Sequence, residues 1–197
     1  MILVTGGAGY IGSHICIELL AAGYEVVIFD NFSNSTLEVI PRLEKISGKK
    51  VNVIVGNLCS PAEINQIFDQ FAISAVIHCA GLKSIDDSIH NPMAYYHNNA
   101  IGTYYLLKAM EAHHVFRLIF SSSATVYGIP QQLPISEGHP LSATNPYGRT
   151  KIIIEEMLRD LLCASPLWKI GILRYFNPVG AHESGLIGEN PLSPPGT

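Results

Sequence analysis

The chain has 197 residues, of which 48% are hydrophobic and 14% charged, and its formal net charge is −4. This length is enough for one full hydrophobic core and leaves little for a second. The negative balance, with no basic run beyond Lys49 and Lys50, argues against a nucleic-acid partner and makes a small-molecule site the default expectation.

Apolar segments alternate with helical patterns along the chain. The candidate strands are residues 2–5, 25–30, 51–56, 75–79, 118–122 and 169–174. Their apolar runs are continuous, as in V-V-I-F, which is typical of parallel strands buried on both faces. Candidate helices fill the gaps, at residues 11–22, 38–47, 61–71, 92–113 and 147–162. The alternation predicts an α/β fold, a Rossmann-type doubly wound parallel sheet with flanking helices.

A glycine-rich turn follows the first strand and opens the first helix. Gly6, Gly9 and Gly12 are spaced by three residues in V-T-G-G-A-G-Y-I-G. Such a turn lets backbone N–H groups approach a pyrophosphate, although a tight turn without a ligand is the alternative. Asp30, at the end of the second strand, can accept from ribose hydroxyls and would repel a 2′-phosphate. Together these features predict NAD rather than NADP as the cofactor.

The cysteines and histidines form no metal or disulfide pattern. Cys16, Cys59, Cys79 and Cys163 are far apart and include no C-x-x-C, so we expect reduced, mostly buried thiols of a cytoplasmic protein. The eight histidines include no H-E-x-x-H, so no metal site is expected. The chain starts without a signal-peptide pattern, and no apolar run reaches the ~18 residues that span a bilayer, so no membrane partner is expected.

The segment N-P-Y-G-R-T-K starts a late helix after an irregular stretch at 128–144, which we interpret as a loop over the mouth of a site. Asn145 is the expected N-cap, with Pro146 in the first turn. Tyr147 and Lys151 are four residues apart, so they lie on one face of this helix. Taken alone, the pair is explained as well by a solvated face, with a lysine whose stem lies on apolar surface.

Four motifs together resemble the extended short-chain dehydrogenase/reductase family, and within it the enzymes that epimerise UDP-hexoses at C4. They are T-G-G-A-G-Y-I-G, S-S-S-A-T-V-Y-G, Y-G-R-T-K and R-Y-F-N-P-V-G-A-H. The resemblance covers nearly the whole chain. It implies an NAD-dependent isomerase that interconverts UDP-galactose and UDP-glucose through a transient 4-keto intermediate. It also implies that the full-length chain forms a homodimer packed through the helices at 92–113 and 147–162.

The resemblance implies a catalytic set of Ser123, Tyr147 and Lys151. A free tyrosine titrates near ~10, too high for a base at neutral pH. Lys151 and the nicotinamide ring of NAD+ are expected to lower the pKa of Tyr147, which would then take the proton of the sugar 4-hydroxyl. Ser123 and Tyr147 would contact the substrate, together with Asn177, for which a turn residue before Pro178 is the alternative.

The resemblance also assigns a cofactor shell that follows the strand ends. Its members are Gly6, Gly9, Tyr10, Ile11, Gly12, Asp30, Asn31, Phe32, Ser33, Asn34, Ser35, Asn57, Leu58, Cys79, Ala80, Gly81, Leu82, Lys83, Asn98 and Phe176, with Ser123, Tyr147 and Lys151. Lys83 is expected to reach the ribose hydroxyls, and Asn98 is alternatively a plain mid-helix polar residue. Asn57 stands where the family usually has Asp, which would weaken a contact with adenine.

The residues after Ser123 favour epimerisation over elimination. The 4,6-dehydratases and decarboxylases of this family carry carboxylates in this region. Here Ala124 and Thr125 follow Ser123, and neither side chain is a general acid or base at neutral pH. A 4-epimerase needs no acid at these positions.

We expect an NAD-binding Rossmann domain at 1–174 and the start of a substrate-binding region at 175–197, apparently truncated. The prolines of the final segment predict an unstructured tail. A second hypothesis is therefore an NAD-binding module without turnover, which exposes apolar surface near residues 175–181. A third is a redox-sensing binding protein on the same scaffold, which the intact catalytic set disfavours. The sequence leaves open whether the sugars are the hexoses or the N-acetylhexosamines.

Overall fold

A six-stranded parallel sheet organises the part of the chain that the computed structural model describes, residues 1–190. The strands are β1 (Ile2–Thr5), β2 (Val26–Asp30), β3 (Asn52–Val55), β4 (Ala75–His78), β5 (Arg117–Ser123) and β6 (Lys169–Tyr175). The helices are α1 (Tyr10–Ala21), α2 (Val39–Ser47), α3 (Pro61–Gln70), α4 (Ile85–His90), α5 (Pro92–Tyr95), α6 (Gly102–Ala112) and α7 (Pro146–Ala164). A π-helical segment (Tyr96–Ile101) joins α5 to α6, and a 3-10 helix (Ala124–Tyr127) follows β5.

The strand order is β3-β2-β1-β4-β5-β6, so the predicted doubly wound sheet is confirmed. The connection from β3 to β4 passes over β2 and β1, and the order of the strands reverses between β1 and β4. In sheets of this kind the loops on either side of that reversal separate and leave a crevice at the carboxyl ends of the strands. The topology therefore places the glycine turn after β1 beside the segment after β4.

Helices cover the sheet from two sides. Leu43 of α2 clusters with Ile28 on one face, where α1 also packs. Met110 of α6 and Leu158 of α7 cluster with Phe120 on the other face, together with α3. Each fully buried side chain of this size contributes about 1.5–3 kcal/mol. These two apolar layers hold the strand ends in the register that the site needs.

The prediction that the strands are buried on both faces holds for the central strands and is wrong for the others. β1 and β2 are nearly continuous runs of buried residues, whereas β3 lies at the edge and Val55 is 63% exposed. Ile119 of β5 and Leu173 of β6 are also exposed, because α7 packs on the opposite face of these two strands. Continuous apolar runs therefore overstate how much of this sheet is covered within residues 1–190.

The predicted single helix at 92–113 is interrupted in the structure. α5 ends at Tyr95, and the π-helical segment widens the backbone before α6 begins. Such insertions are frequent at functional sites, and this one turns Asn99 into the protein interior. Hydrophobic periodicity does not predict such a segment.

Helix α4 was also not predicted, and it accounts for the acidic pair after Lys83. The Ser84 hydroxyl accepts a hydrogen bond from the backbone N–H of Asp87 at 3.2 Å. Asp86 and Asp87 occupy the first turn, where the helix dipole favours negative charge. The acidic pair therefore lies where it stabilises the start of a short helix.

The four cysteines are free thiols, but the prediction that most are buried is wrong. Cys16 is buried, Cys59 and Cys79 are partly buried, and Cys163 is exposed near the end of α7. Within the described residues, no helix combines the length and hydropathy needed to cross a membrane. The expected unstructured tail falls on residues 191–197, outside the described part of the chain.

A buried histidine links β1, β4 and α6. His78 Nδ1 lies 2.6 Å from Thr5 Oγ1, and Nε2 lies 2.8 Å from Thr103 Oγ1. Thr103 donates its hydroxyl hydrogen to the Asn99 carbonyl at 2.6 Å, so it accepts from Nε2–H, and Nδ1 accepts from Thr5. Burial, followed by the charge of Lys151, lowers the pKa of His78 to about 3. The ring is therefore neutral in the folded chain.

This neutral histidine predicts a stability that depends on pH. The unfolded chain protonates His78 near ~6.5, so it binds more protons than the folded chain below that pH. Stability is therefore lost as pH falls from about 6.5 toward about 3, and the loss from this residue is about 2 kcal/mol by pH 5. Urea unfolding at pH 7.5 and 5.0 measures it. His78→Gln should reduce the pH dependence by that amount, whereas a change at the exposed His97, His97→Gln, should not. Equal pH dependence in the parent and in His78→Gln would contradict this assignment.

Candidate active site

The glycine turn brings three backbone segments into direct contact. Gly6 has a φ of +67°, and a Cβ there would lie 2.6 Å from the backbone nitrogen of Ala80, after β4. A Cβ on Gly12 would lie 2.1 Å from the Gly6 carbonyl oxygen. Gly9 is the N-cap of α1 and has no side chain to bind the first-turn N–H groups. The helix N-terminus therefore presents backbone donors toward the crevice, as an anionic group requires.

Asp30 is fixed beside this turn. One carboxylate oxygen accepts from Ala8 N at 3.0 Å, and the other accepts from Phe32 N at 2.9 Å and from Ser35 Oγ at 3.4 Å. An ionised carboxylate offers about four acceptor positions, so capacity remains for a diol. These bonds hold the carboxylate at the carboxyl end of β2, next to the glycine turn.

Helix α7 places Tyr147 and Lys151 under the end of β5. The Asn145 side chain accepts from Gly148 N at 2.8 Å, which confirms the predicted N-cap. Lys151 is only 5% exposed, and its ammonium donates to the Ser121 carbonyl at 2.8 Å. Its Nζ lies 5.8 Å from the centroid of the Tyr147 ring. The solvated-face interpretation is therefore wrong for Lys151, which points into the protein.

Burial dominates the electrostatics of this pair. It lowers the pKa of Lys151 to about 8, against the opposing influence of Cys79 and Glu155. It also raises the pKa of Tyr147, and a hydrogen bond with Ser123 only partly offsets that change. This direction is opposite to the lowered pKa that the resemblance predicts for Tyr147. A lowered value therefore requires more positive charge near the phenol than the buried ammonium supplies.

The hydroxyl of Ser123 is oriented by its neighbours at the start of the 3-10 helix. It lies 2.7 Å from Thr125 Oγ1 and accepts from Thr125 N at 3.2 Å. Thr125, which the sequence analysis treated only as a residue without acid–base function, thus fixes the rotamer of Ser123. The end of β5 presents Ser123 at the carboxyl edge of the sheet, on the same side as Tyr147.

Asn99, which was not among the predicted site residues, joins two segments that border the site. Its side-chain oxygen accepts from Leu82 N at 2.8 Å, and its amide donates to Leu82 O at 3.0 Å and to Thr150 Oγ1 at 3.2 Å. Thr150 in turn donates to the Tyr147 carbonyl at 2.7 Å. Asn99 therefore connects the segment after β4 to the first turn of the catalytic helix. Asn98 is partly buried and donates to Asn99 at 3.1 Å.

The structure brings the predicted site residues to one edge of the sheet. They lie at or after the ends of β1 (Gly6, Gly9, Tyr10, Ile11, Gly12), β2 (Asp30, Asn31, Phe32, Ser33, Asn34, Ser35), β3 (Asn57, Leu58), β4 (Cys79, Ala80, Gly81, Leu82, Lys83), β5 (Ser123) and β6 (Phe176, Asn177). Asn98 of the π-helical segment and Tyr147 and Lys151 of α7 complete the set. All strands are parallel, so their carboxyl ends meet at this edge.

Some of these residues have partners that the sequence did not predict. Lys83 forms an ion pair of 2.8 Å with Glu189, and both side chains are partly exposed. The Asn57 side-chain oxygen accepts from Cys59 N at 2.9 Å, so the group expected near adenine already holds a turn. The side chain of Leu58 is buried in the core.

The segment after β6 runs back along the same edge. The Tyr10 hydroxyl donates to the Gly180 carbonyl at 2.8 Å, and Ile187 is buried in the cluster of α1 and α2. Phe176 and Asn177 are exposed at the start of this segment, and the Phe176 ring lies 6.3 Å from that of Tyr127. The stretch that the sequence analysis assigned to substrate binding is therefore adjacent to the glycine turn.

The chain matches a known protein family in sequence and solved members of it in structure. A family model described as the NAD dependent epimerase/dehydratase family matches residues 2–190. The chain is 53% identical to the UDP-glucose 4-epimerase of Bacillus subtilis (strain 168) over 190 residues, and 55% identical to that of Dictyostelium discoideum over 194 residues. These alignments cover 96% and 98% of this chain. The crystal structure of UDP-glucose 4-epimerase from Bifidobacterium longum in complex with NAD+ and UDP has a TM-score of 0.97 and is 50% identical over 100% of this chain.

The chain is shorter than these proteins. It spans 56% of the length of each of the two relatives and 59% of the chain in that crystal structure. The regions that match contain the six strands and all the site residues described above.

Gly12→Ala tests the close contact in the glycine turn. In an ordinary helix interior, alanine is more stable than glycine by about 1 kcal/mol. Here the new Cβ would lie 2.1 Å from the Gly6 carbonyl oxygen, so we expect a net destabilisation of about 1–3 kcal/mol in urea unfolding. Gly138→Ala is the matched control, since a Cβ there meets no atom within 4 Å and stability should change by less than about 0.5 kcal/mol. A stabilised Gly12→Ala variant would show that helix propensity decides at this position instead.

Proposed function

The chain belongs to the NAD dependent epimerase/dehydratase family, and from this premise we propose that it catalyses 4-epimerisation of a UDP-hexose, between UDP-galactose and UDP-glucose. Membership confirms the predicted family and confirms NAD as the cofactor on which this family depends. The observation that carries the proposal is the arrangement of Ser123, Tyr147 and the buried Lys151 at the edge of the sheet that holds the glycine turn.

The residues present fit NAD. The uncapped N-terminus of α1 offers backbone N–H groups to the pyrophosphate, and the tight packing at Gly6 and Gly12 allows the close approach of backbone to ligand. Asp30 is held at the end of β2 with acceptor positions to spare for the ribose diol. When bound, NAD supplies the chemistry of accepting a hydride from the sugar C4 and returning it to the other face.

Tyr147 moves the proton in this mechanism. Its phenolate would take the proton of the sugar 4-hydroxyl as the 4-keto sugar forms, and the resulting phenol would return that proton to the 4-oxygen as the new epimer forms. Burial disfavours the phenolate, so nearby positive charge has to compensate. Lys151 has a pKa of about 8 and is mainly protonated at pH 7, and the nicotinamide of bound NAD+ carries a second positive charge. A decrease of about 3 pKa units for the phenol requires about 4 kcal/mol of differential stabilisation.

Ser123 holds the reacting oxygen. Its oxygen accepts from Thr125 N and lies 2.7 Å from the Thr125 hydroxyl; with that hydroxyl as the donor, Ser123 keeps its own hydrogen for the sugar 4-oxygen. The Thr125 hydroxyl is engaged with Ser123, and Ala124 has no polar group. The site therefore lacks an acid–base pair in this loop for removing a C5 proton and expelling water from C6, and epimerisation is favoured over elimination.

We also propose the domain division that the sequence suggested, with an NAD-binding Rossmann domain at 1–174 and the start of a substrate-binding region at 175–197. The exposed Asn177 supports it, because it follows the strand next to Ser123. A homodimer and a cytoplasmic location belong to the same proposal. Exposed apolar side chains on the helices expected at the dimer interface, Met93, Tyr104 and Leu162, support the first, and the free thiols support the second.

The function is tested by incubating the protein with UDP-galactose, with and without added NAD, and separating the sugar nucleotides. We expect UDP-glucose to form. UDP-N-acetylgalactosamine is assayed in parallel, and conversion of that sugar alone would change the proposed substrate. If neither sugar is converted although NAD binds, the hypothesis of an NAD-binding module without turnover replaces the present one.

Tyr147→Phe tests whether the turnover depends on the Tyr147 hydroxyl. The change removes the exchangeable proton and keeps the ring, so we expect turnover to fall by about 10²–10⁴-fold. The dissociation constant of NAD, measured by calorimetry, should change by less than about threefold, because the loss is confined to one hydroxyl. Retained turnover would exclude Tyr147 as the acid–base residue.

Asp30→Ala tests the choice between NAD and NADP. Loss of the carboxylate removes both the ribose acceptor and the repulsion of a 2′-phosphate, so the ratio of the two dissociation constants should shift toward NADP by about tenfold or more. The ratio is measured because a general loosening of the turn would weaken the binding of NAD and of NADP equally and leave the ratio unchanged. Asp69→Ala, at an exposed carboxylate on α3, is the control for net charge and should leave the ratio unchanged. An unchanged ratio in Asp30→Ala would remove its role in selectivity.

A further inference from the structure

We propose that Glu155 and Arg174 are positioning residues of the active site, whose buried ion pair fixes the catalytic helix, the end of β5 and the loop 128–144 relative to one another. The inference rests on the proposed function, since it assigns two further residues to the same site. Neither residue was singled out by the sequence analysis, and neither lies among the residues expected to touch the cofactor or the sugar.

Glu155 connects the catalytic helix to β5. It lies one helical turn after Lys151, and its side chain is 0% exposed. Its Oε1 accepts from Ser122 Oγ at 2.6 Å, and Ser122 directly precedes Ser123. The carboxylate thus holds the strand residue next to Ser123 against the helix that carries Tyr147.

Arg174 connects the same carboxylate to β6 and to the loop. Its Nε and Nη2 donate to the two oxygens of Glu155 at 3.0 and 2.7 Å, a forked pair that fixes both orientation and distance. Its Nη1 donates to Tyr127 Oη at 2.9 Å and to the Glu137 carbonyl at 3.1 Å. The guanidinium carbon also lies 4.9 Å from the centroid of the Tyr127 ring. Arg174 is two residues before Phe176, so one guanidinium links four segments that border the site.

The Glu155–Arg174 ion pair contributes more to fixing the positions of the segments than to the free energy of unfolding. Buried ion pairs contribute little net stability, because desolvation offsets their attraction, and apolar replacements of similar volume are often as stable. Their directional bonds nevertheless allow one arrangement, which a catalytic site requires within a fraction of an ångström. Arg159 provides an internal comparison, since it donates to the same carboxylate at 2.8 Å but is exposed and reaches only its own helix.

The charge of Glu155 also acts on the catalytic lysine. Burial lowers the pKa of Lys151, and Glu155 is among the groups that raise it again. Burial raises the pKa of Glu155 itself, but the hydrogen bonds from Arg174 and Ser122 outweigh this and leave the pKa lowered. Glu155 is therefore ionised at neutral pH and helps to keep Lys151 protonated. Neutralising it should move the alkaline limb of the pH–rate profile to lower pH.

The experiment compares E155Q/R174M, R174K and R159A with the parent. E155Q/R174M removes both charges together, so no unpaired charge stays buried, while the chain keeps similar volume at both positions. We expect faster amide hydrogen exchange, by about tenfold or more, at residues 121–144 and 175–177 but not in β1 or β2. The kcat for UDP-galactose should fall by about 10- to 100-fold with a smaller change in KM, and the alkaline limb should shift to lower pH. R174K keeps the charge without the fork, so its kcat and exchange should lie between these values and the parent's.

Each outcome decides the proposal. R159A should match the parent in exchange, kcat and pH profile, since Arg159 is exposed and links the carboxylate only to its own helix. Parental exchange and kcat in a folded E155Q/R174M would overturn the proposal and leave the pair a purely structural feature. If that variant does not fold, parental exchange and kcat in R174K would overturn it. If the parent itself has no turnover, the proposed function fails, whereas local exchange and the dissociation constant of NAD still decide the role of the pair.

Discussion

The buried charge of Lys151 is the constraint on which the site depends. An ammonium taken out of water costs several kcal/mol unless other groups solvate it. Here the Ser121 carbonyl accepts from it, the Phe120 ring lies 4.8 Å from Nζ, and Glu155 is ionised one turn away. These compensating groups come from β5 and α7, so the two elements have to pack together for the charge to be tolerated. The same packing brings Tyr147 to the end of β5.

The strand order of the sheet positions the cofactor side of the site. Because the order of the strands reverses between β1 and β4, the glycine turn and the segment after β4 meet at one crevice. Asn99 joins that segment to Thr150 and hence to the backbone of Tyr147. The cofactor edge and the catalytic helix are therefore connected through buried hydrogen bonds as well as through the sheet. His78 extends this network to Thr5, directly before the glycine turn.

Local patterns predicted the parts of this protein that depend on local physics. Alternation of apolar runs and helical stripes predicted the six strands and the sheet type, and the capping chemistry of Asn145 and Pro146 predicted the start of α7. Continuous apolar runs did not predict burial correctly where burial depends on the position of a strand in the sheet, as at the edge strand β3. The hydrophobic pattern also failed at the π-helical segment, because a single inserted residue leaves no signature in hydrophobic periodicity.

The residues missed in the site share one property, which is that their partners are distant in the chain. Asn99 bonds to Leu82 and Thr150, and Glu155 bonds to Ser122 and Arg174. On the sequence, Glu155 is one of several acidic residues on an amphipathic helix, and a solvated face explains it as well as an ion pair does. Only the packing of α7 against the face of β5 and β6 turns it inward. Residues that touch reactants are recognised by motifs, whereas residues that hold those motifs in place are specified by the tertiary fold.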